Sequence, residues 1–213
     1  NLFDIRLREI DPMKVTYLRS KVESIQKWGM PNAYGPQRFG NQQNNHLVGL
    51  AYLKGDWESM LSLLDSDSHF VHCKEGKSPK DVCKSFKKQM LVLWVQAFQS
   101  FLFNECLEAR IASETWNVCQ CGDLIWSHVG KGSSFLLTEE ELQTGDIQER
   151  QQKQLISPTG PMWGVKMRMP EGEIAEFEEQ LLETHGITKS NFEAVKKFAK
   201  GSNFVTASKM PLD

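Results

Sequence analysis

Apolar and charged residues alternate at the start of the chain. Phe3, Ile5 and Leu7 are separated by Asp4, Arg6 and Arg8, a period of two that predicts a half-buried strand over residues 1–10. The period then changes. Behind Asp11, an N-cap, and Pro12, a helix-starting proline, Val15, Leu18, Val22 and Ile25 recur at steps of three and four until Gly29 ends the pattern. The spacing predicts a helix of about four turns running to Trp28.

The next stretch, "MPNAYGPQRFGNQQNN" over residues 30–45, follows neither period and reads as a polar loop. A short helix is predicted over residues 56–64. Ser78 and Pro79 then open the longest periodic segment, in which Val82, Phe86, Met90, Leu93, Trp94, Phe98, Phe101, Leu102 and Leu107 build one wide apolar face. That face predicts a core helix, interrupted or bent once before Ile111. Burying such side chains is worth roughly 1.5–3 kcal/mol each, so packing alone accounts for most of these aromatics.

Further on, residues 122–126 predict a strand after a turn, and Thr138 with Glu141 has the form of a capping box. The run "SPTGPMWG" over residues 157–164 reads as a turn-rich break, with Thr159 and Gly160 as a structural turn. Val165, Met167 and Met169 alternate with Lys166 and Arg168 as a strand. Helices are predicted over residues 173–185 and 190–200, and a last strand over 204–207. The two ends therefore mix α and β while the middle is mainly helical, as expected for an insertion within a sheet-based domain.

Composition narrows the picture. A 213-residue chain with 40% apolar and 24% charged residues can bury a core. No continuous apolar run nears the roughly 18 residues of a membrane span, and the start lacks the pattern of a signal peptide, so a soluble, cytoplasmic protein without a membrane partner is expected. Five cysteines at irregular spacings suit reduced thiols. His69, His72 and Cys73 with Cys83, or Cys119 and Cys121 with His128, fall short of the paired spacing of a structural zinc site, and no metal is expected. The net charge of −2 argues against a protein that grips nucleic acid over its whole surface. It is segregated, however: Lys74, Lys77, Lys80, Lys84, Lys87 and Lys88 crowd one segment, whereas residues 171–183 hold six acids and no base. Each run taken alone predicts a solvated face.

Four separated pieces, "NLF" at residues 1–3, "PNAYGPQRFG" at 31–40, "QSFLFN" at 99–104 and "SPTGPMWG" at 157–164, together resemble the TruD family of tRNA pseudouridine synthases. The resemblance extends to about Phe204, and its specificity lies in the order of the pieces. It implies an α+β fold: part of a pseudouridine-synthase-like mixed-sheet domain over residues 1–30 and 164–213, with a mainly helical insertion over 31–163. It also implies an isomerase that converts a uridine of tRNA, typically at position 13, to pseudouridine, with tRNA as partner and no small-molecule cofactor.

On the same resemblance Asn1 supports the catalytic loop and Phe3 lines the uracil pocket. Gln37, Arg38, Phe39 and Gly40 form a loop near the cleft, and Lys84, Lys87 and Lys88 of the basic run are candidates for the basic surface that the RNA backbone requires. The family's catalytic aspartate belongs to a "GLKD"-type segment upstream of the Asn-x-Phe strand. The chain thus resembles a middle and C-terminal portion of the enzyme, and as a fragment it is expected to be inactive. Lys80-Asp81 copies two letters of that segment without its Gly-Leu turn, so Asp81 is not expected to act as the nucleophile. Ala33-Tyr34 stands where the family often has Tyr-Phe, and "GSNFV" at 201–205 lacks a common arginine. Two roles are open for Arg38, a phosphate contact or a tie to backbone carbonyls that holds the loop closed; the glycines and proline around it favour the second. A noncatalytic RNA-binding or interaction module on the same scaffold is the alternative reading.

Overall fold

The fold is that of a computed structural model describing Asp4 and residues 6–64, 76–130, 132–198 and 210–211. The opening alternation does not become a strand there. Asp4 and residues 6–10 run without regular structure, and Leu7 is 63% exposed. A period of two yields a strand only beside a bonding edge and a core to bury into, and among the described residues none accompanies this stretch. The next expectation holds. Asp11 accepts from the Met13 N–H at 2.9 Å, a 3-10 turn over Pro12–Lys14 leads into α1 (Val15–Trp28), and Gly29 closes it at φ 80°. Most apolar residues of α1 stay solvent-facing, Val15, Val22, Ile25 and Trp28 among them, while Leu18 is half-buried. Its C-terminal end is tied to the body by Asn117, which donates to Trp28 O at 3.4 Å, and by Gln154, which donates to Gln26 O at 2.9 Å.

The helical core consists of α2 (Asn45–Lys54), α3 (Trp57–Leu64), α4 (Pro79–Ser85) and α5 (Lys88–Ala112). Helix α2 was not legible as a helix. Leu47, Val48, Leu50, Ala51, Tyr52 and Leu53 make it apolar nearly all round, and a helix without a polar face shows no amphipathic period. It lies close against α5 because Gly49 has no side chain: a Cβ there would stand 2.1 Å from the Trp94 carbonyl oxygen. The long apolar segment is broken once, as its pattern predicts. Phe86 and Lys87 are extended, with ψ 143° and 134°, and separate the Ser78-capped α4 from α5. Helix α5 has the length and composition to be weighed as a membrane span, but Trp94, Phe98, Leu102, Phe103 and Leu107 are buried within the protein.

Beyond α5 the chain builds an antiparallel sheet in the order β2-β1-β3-β4, from β1 (Leu124–Ser127), β2 (Ser133–Leu136), β3 (Ile156–Gly160) and β4 (Met210–Pro211). Its registers set Ile125 opposite Phe135 on one side and Pro158 on the other. Here two expectations are corrected. Residues 157–160 are not a turn but part of a fully buried interior strand, in which Thr159 Oγ1 donates to Leu124 O at 2.6 Å. Pro158 and Gly160 suppress the strand signal because proline gives the ladder no N–H. Residues 165–169, expected as a strand, form a turn and an irregular run that delivers Met167 to the helical core. The expected strand over 204–207 lies outside the described residues.

Short helices α6 (Glu139–Gln143) and α7 (Asp146–Gln152) pack beside the sheet. The capping box is present, with Thr138 and Glu141 each satisfying the other's backbone N–H. Then α8 (Gly172–Thr184) and α9 (Lys189–Phe198) send Leu182 and Phe192 into the helical core. A sealed ion pair fastens α5 to the sheet: Arg110 donates to both oxygens of Asp123, at 2.8 and 3.0 Å, and to the carbonyls of Thr115 and Val118. The protein is α+β.

Candidate functional site

Three of the four sequence pieces meet on one stretch of α5. Asn104 grips the backbone of Tyr34 at both ends: Tyr34 N–H donates to Asn104 Oδ1 and Asn104 Nδ2 donates to Tyr34 O, each at 2.9 Å. The Tyr34 hydroxyl donates to Met162 Sδ at 3.8 Å, and its ring packs edge-on against Phe103 at 5.6 Å. One turn earlier, buried Gln99 donates to Trp163 O. A helix places residues 99, 103 and 104 about one turn apart on neighbouring faces. One rigid rod therefore clamps the loop of residues 31–40 and the end of β3 together. Gln99 and Asn104 act in this way as packing and clamp residues.

The loop is closed by a different side chain from the one the sequence favoured. Gln43 Nε2 donates to Pro36 O at 3.1 Å and Gly40 O at 2.5 Å, around a 3-10 turn over Pro36–Phe39. Arg38 instead lays its guanidinium over the Tyr34 ring, 5.0 Å from the centroid. The carbonyl tie expected of Arg38 thus belongs to Gln43, whose short amide already sits over the turn. Gly40, at φ 81°, keeps the loop tight against Asn45, whose amide a Cβ would meet at 2.6 Å.

Beneath this turn is a cavity of about 300 Å³ walled by Phe39, Gln43, His46, Phe101, Glu105 and Glu108. His46 stacks flat on Phe101, with 4.5 Å between centroids, and meets Phe39 edge-on at 5.3 Å. Its Nδ1 is buried with no hydrogen-bond partner. Burial, and secondarily the nearby His185, lowers the His46 pKa from its usual 6.5, so the ring is held neutral. Glu105 Oε2 lies 2.6 Å from His185 Nε2. The cavity is therefore lined by aromatic rings and carboxylate acceptors, a chemistry suited to a flat group bearing N–H donors. Sequence reasoning missed Gln43, His46 and Glu105. A histidine directly after an amide-rich loop was the available signal for His46; Gln43 and Glu105 become recognisable only through their partners.

The remaining expected residues are dispersed. Gln37 is exposed, Phe39 and Gly40 are half-buried, and all three belong to the loop just described. Lys84, Lys87 and Lys88 are exposed around the α4–α5 break. Sixteen residues separate Lys88 from Asn104, which along a helix is about 24 Å, so the lysines do not share the cavity. Asn1 and Phe3 lie outside the described residues, as do His69, His72 and Cys73. Among the described residues no three His, Cys, Asp or Glu side chains gather as a metal site requires. Asp81 sits in the first turn of α4: its N–H donates to Ser78 Oγ, the N-cap, whose hydroxyl in turn donates to Asp81 Oδ2 at 2.6 Å.

With this geometry in hand, the comparisons with known proteins are specific. The family profile for tRNA pseudouridine synthase D (TruD) matches residues 1–72 and 69–204. The chain is 32% identical to the tRNA pseudouridine synthase D of Geobacter sulfurreducens over 90% of its own length and 54% of that relative. It is 31% identical to that of Geobacter metallireducens over 91% and 55% respectively. The chain spans about half the length of the curated relatives it matches. Its fold is similar to the crystal structure of the putative tRNA pseudouridine synthase D of Methanosarcina mazei, with a TM-score of 0.76 and 18% identity over 98% of this chain and 57% of that one. A profile match across nearly the whole chain, on the segments that the structure clamps together, establishes that this chain belongs to the TruD family of tRNA pseudouridine synthases.

Proposed function

We propose that this chain works as part of a tRNA pseudouridine synthase that isomerises a uridine of tRNA, typically at position 13. The reaction breaks the N-glycosidic bond, turns the uracil within its pocket and rejoins it to the ribose through carbon 5. Atoms and electrons balance within the substrate, so no redox cofactor is needed. In this reading residues 1–30 and 164–213 belong to the catalytic domain and residues 31–163 to its insertion. Asn1 and Phe3 belong beside the uracil, and the 31–40 loop stands at the edge of the RNA cleft.

The observation that carries this reading is the clamp of Asn104 and Gln99 on the 31–40 loop and the 157–164 segment, which ties family-specific pieces into one rigid unit. Two aspartates have other tasks: Asp81 accepts from the hydroxyl of Ser78, the N-cap of α4, and Asp123 is sealed against Arg110 with no exposed surface. A "GLKD"-type segment outside this chain is the proposed source of the nucleophile, and the 213-residue chain alone is proposed to be inactive. Since Gln43 closes the loop, Arg38 is assigned to a phosphate, its guanidinium braced on the Tyr34 ring.

The test uses the full-length enzyme with Arg38→Ala. Pseudouridine formation, tRNA affinity at two salt concentrations and melting temperature are measured together. The expected result is weaker binding with a shallower salt dependence, by about one phosphate contact, and a melting temperature within a few degrees of the parent. A large fall in melting temperature with the salt slope intact would return Arg38 to a structural role. Absence of pseudouridine formation by the parent full-length protein, with tRNA binding retained, would favour a noncatalytic RNA-binding module.

A further inference from the structure

We infer that the cavity beneath the Pro36–Phe39 turn binds an unstacked guanine base, whose N1–H and 2-amino edge is read by the carboxylates of Glu105 and Glu108. The inference rests on the proposed action on tRNA and specifies what one part of that RNA contacts. Its volume of about 300 Å³ suits a single planar ring system and is too small for a duplex or a folded peptide. Its lining is aromatic: Phe39 stands edge-on to His46, and His46 is itself stacked on Phe101. Sequence-specific recognition of RNA uses such rings to stack splayed-out bases and then reads their edges by hydrogen bonds.

Charge selects the base. Glu105 and Glu108 stand three residues apart on α5 and therefore project to one side of it. His185 is paired with Glu105, and burial keeps His46 neutral, so the cavity itself presents acceptors rather than a cationic wall. A phosphate is repelled by this rim. Guanine offers two adjacent donors, N1–H and the 2-amino group, which fit a carboxylate acceptor as a pair. Adenine and cytosine set one amino donor beside a ring-nitrogen acceptor, and uracil flanks its N3–H with two carbonyl oxygens, all of which a carboxylate opposes. The 31–40 loop supplies the remaining wall, held down by Gln43 and Asn104, so the same clamp that shapes the clef edge also shapes the base pocket.

The test is an NMR titration of the full chain with guanosine, inosine, adenosine, cytidine and uridine 5′-monophosphates, reading the ring resonances of Phe39, His46 and Phe101. All five probes carry the same phosphate, so differences report the base. Guanosine monophosphate should bind at least about ten-fold more tightly than inosine monophosphate, which lacks only the 2-amino donor to a charged acceptor. Glu108→Gln, a change at an exposed helix position, should bring that ratio toward one; Phe39→Leu should weaken both purines alike. Equal binding of the five nucleotides, or a guanosine-to-inosine ratio unmoved by Glu108→Gln, overturns the inference. Tighter binding of arginine amide than of guanosine monophosphate also overturns it, and would make the cavity a seat for an arginine of a protein partner. Pseudouridine formation is not read in this titration. Failure of the isomerase reading therefore shows in the tRNA assay with guanine selectivity intact, and failure of the base pocket shows here with the tRNA assay unaffected.

Discussion

Replacing Gly49 by alanine sets two effects of opposite sign against each other. Intrinsic helix propensity favours alanine by about 1 kcal/mol at an interior position. Packing opposes it. The new Cβ would lie 2.1 Å from Trp94 O, 2.7 Å from Trp94 C and 3.2 Å from Phe98 Cβ, where ordinary contact begins at 3.4 Å. Relief requires α2 to retreat from α5 by more than 1 Å, since the obstacle is a backbone carbonyl that cannot rotate aside. A gap of 0.5–1 Å already forfeits a quarter to a half of a dispersion contact. Val48, Tyr52, Trp94 and Phe98 all pack in this core, so the gross cost falls at the upper end of the usual 1–3 kcal/mol for overpacking. The net expectation for Gly49→Ala is a loss of about 2 kcal/mol, or roughly 4–8 °C in melting temperature for a chain of this size. Urea denaturation followed by circular dichroism should show a lower midpoint at unchanged slope. Because α2 also carries His46, the shift should loosen the His46–Phe101 stack and broaden the His46 ring resonances. Gly35→Ala is the control, as a Cβ there meets nothing within 4 Å and φ is −78°; it should change stability by less than about 0.5 kcal/mol. A Gly49→Ala protein as stable as its parent would refute the backbone contact between α2 and α5.

Three further outcomes follow from the same geometry. Asp123→Ala leaves the Arg110 guanidinium buried without its carboxylate and should cost about 3–5 kcal/mol in urea denaturation, whereas adding Arg110→Met should recover part of that loss; additive losses would deny the pair its coupling. The lowered pKa of His46 means that the unfolded chain takes up the proton first, so stability should fall as pH drops below 6.5 and be indifferent to this group above it; His46→Phe should flatten the fall in urea midpoint between pH 7.5 and about 5.5, and an identical fall would exclude His46 as its source. Burial pushes the Cys83 thiol up to about 11, so mass-mapped alkylation at pH 8 should modify exposed Cys121 in the native protein and reach Cys83 only on unfolding; rapid native labelling of Cys83 would contradict its packing.

Local rules read well where the deciding interactions are themselves local. Asp11 and Pro12 at the start of the first helical turn, Gly29 after it and the Thr138–Glu141 box each depend on residues within about one turn of one another. The long apolar face of α5 was equally plain, because a half-exposed rod must repeat with the period of the helix. The same reading failed at β3, which is buried throughout, and at α2, which is apolar nearly all round. There, partners rather than periodicity set the conformation: Trp94 receives Gly49, and Leu124 receives the hydroxyl of Thr159. The alternation at residues 6–8 failed for the converse reason, since a strand pattern without a neighbouring strand has nothing to bond.

The site divides along the same line. The sequence by itself determined the family, through the order of its separated pieces, and with it the α+β class and the loop around Gln37, Arg38 and Phe39. Only the tertiary structure decided how those pieces act together. It placed Asn104 on the Tyr34 backbone across seventy positions of chain, gave loop closure to Gln43 rather than Arg38, and set His46 and Phe101 face to face over Glu105. A side chain's chemical type is written in the sequence. Which donor meets which acceptor depends on distances between residues far apart in the chain, and those distances exist only once the helices have packed.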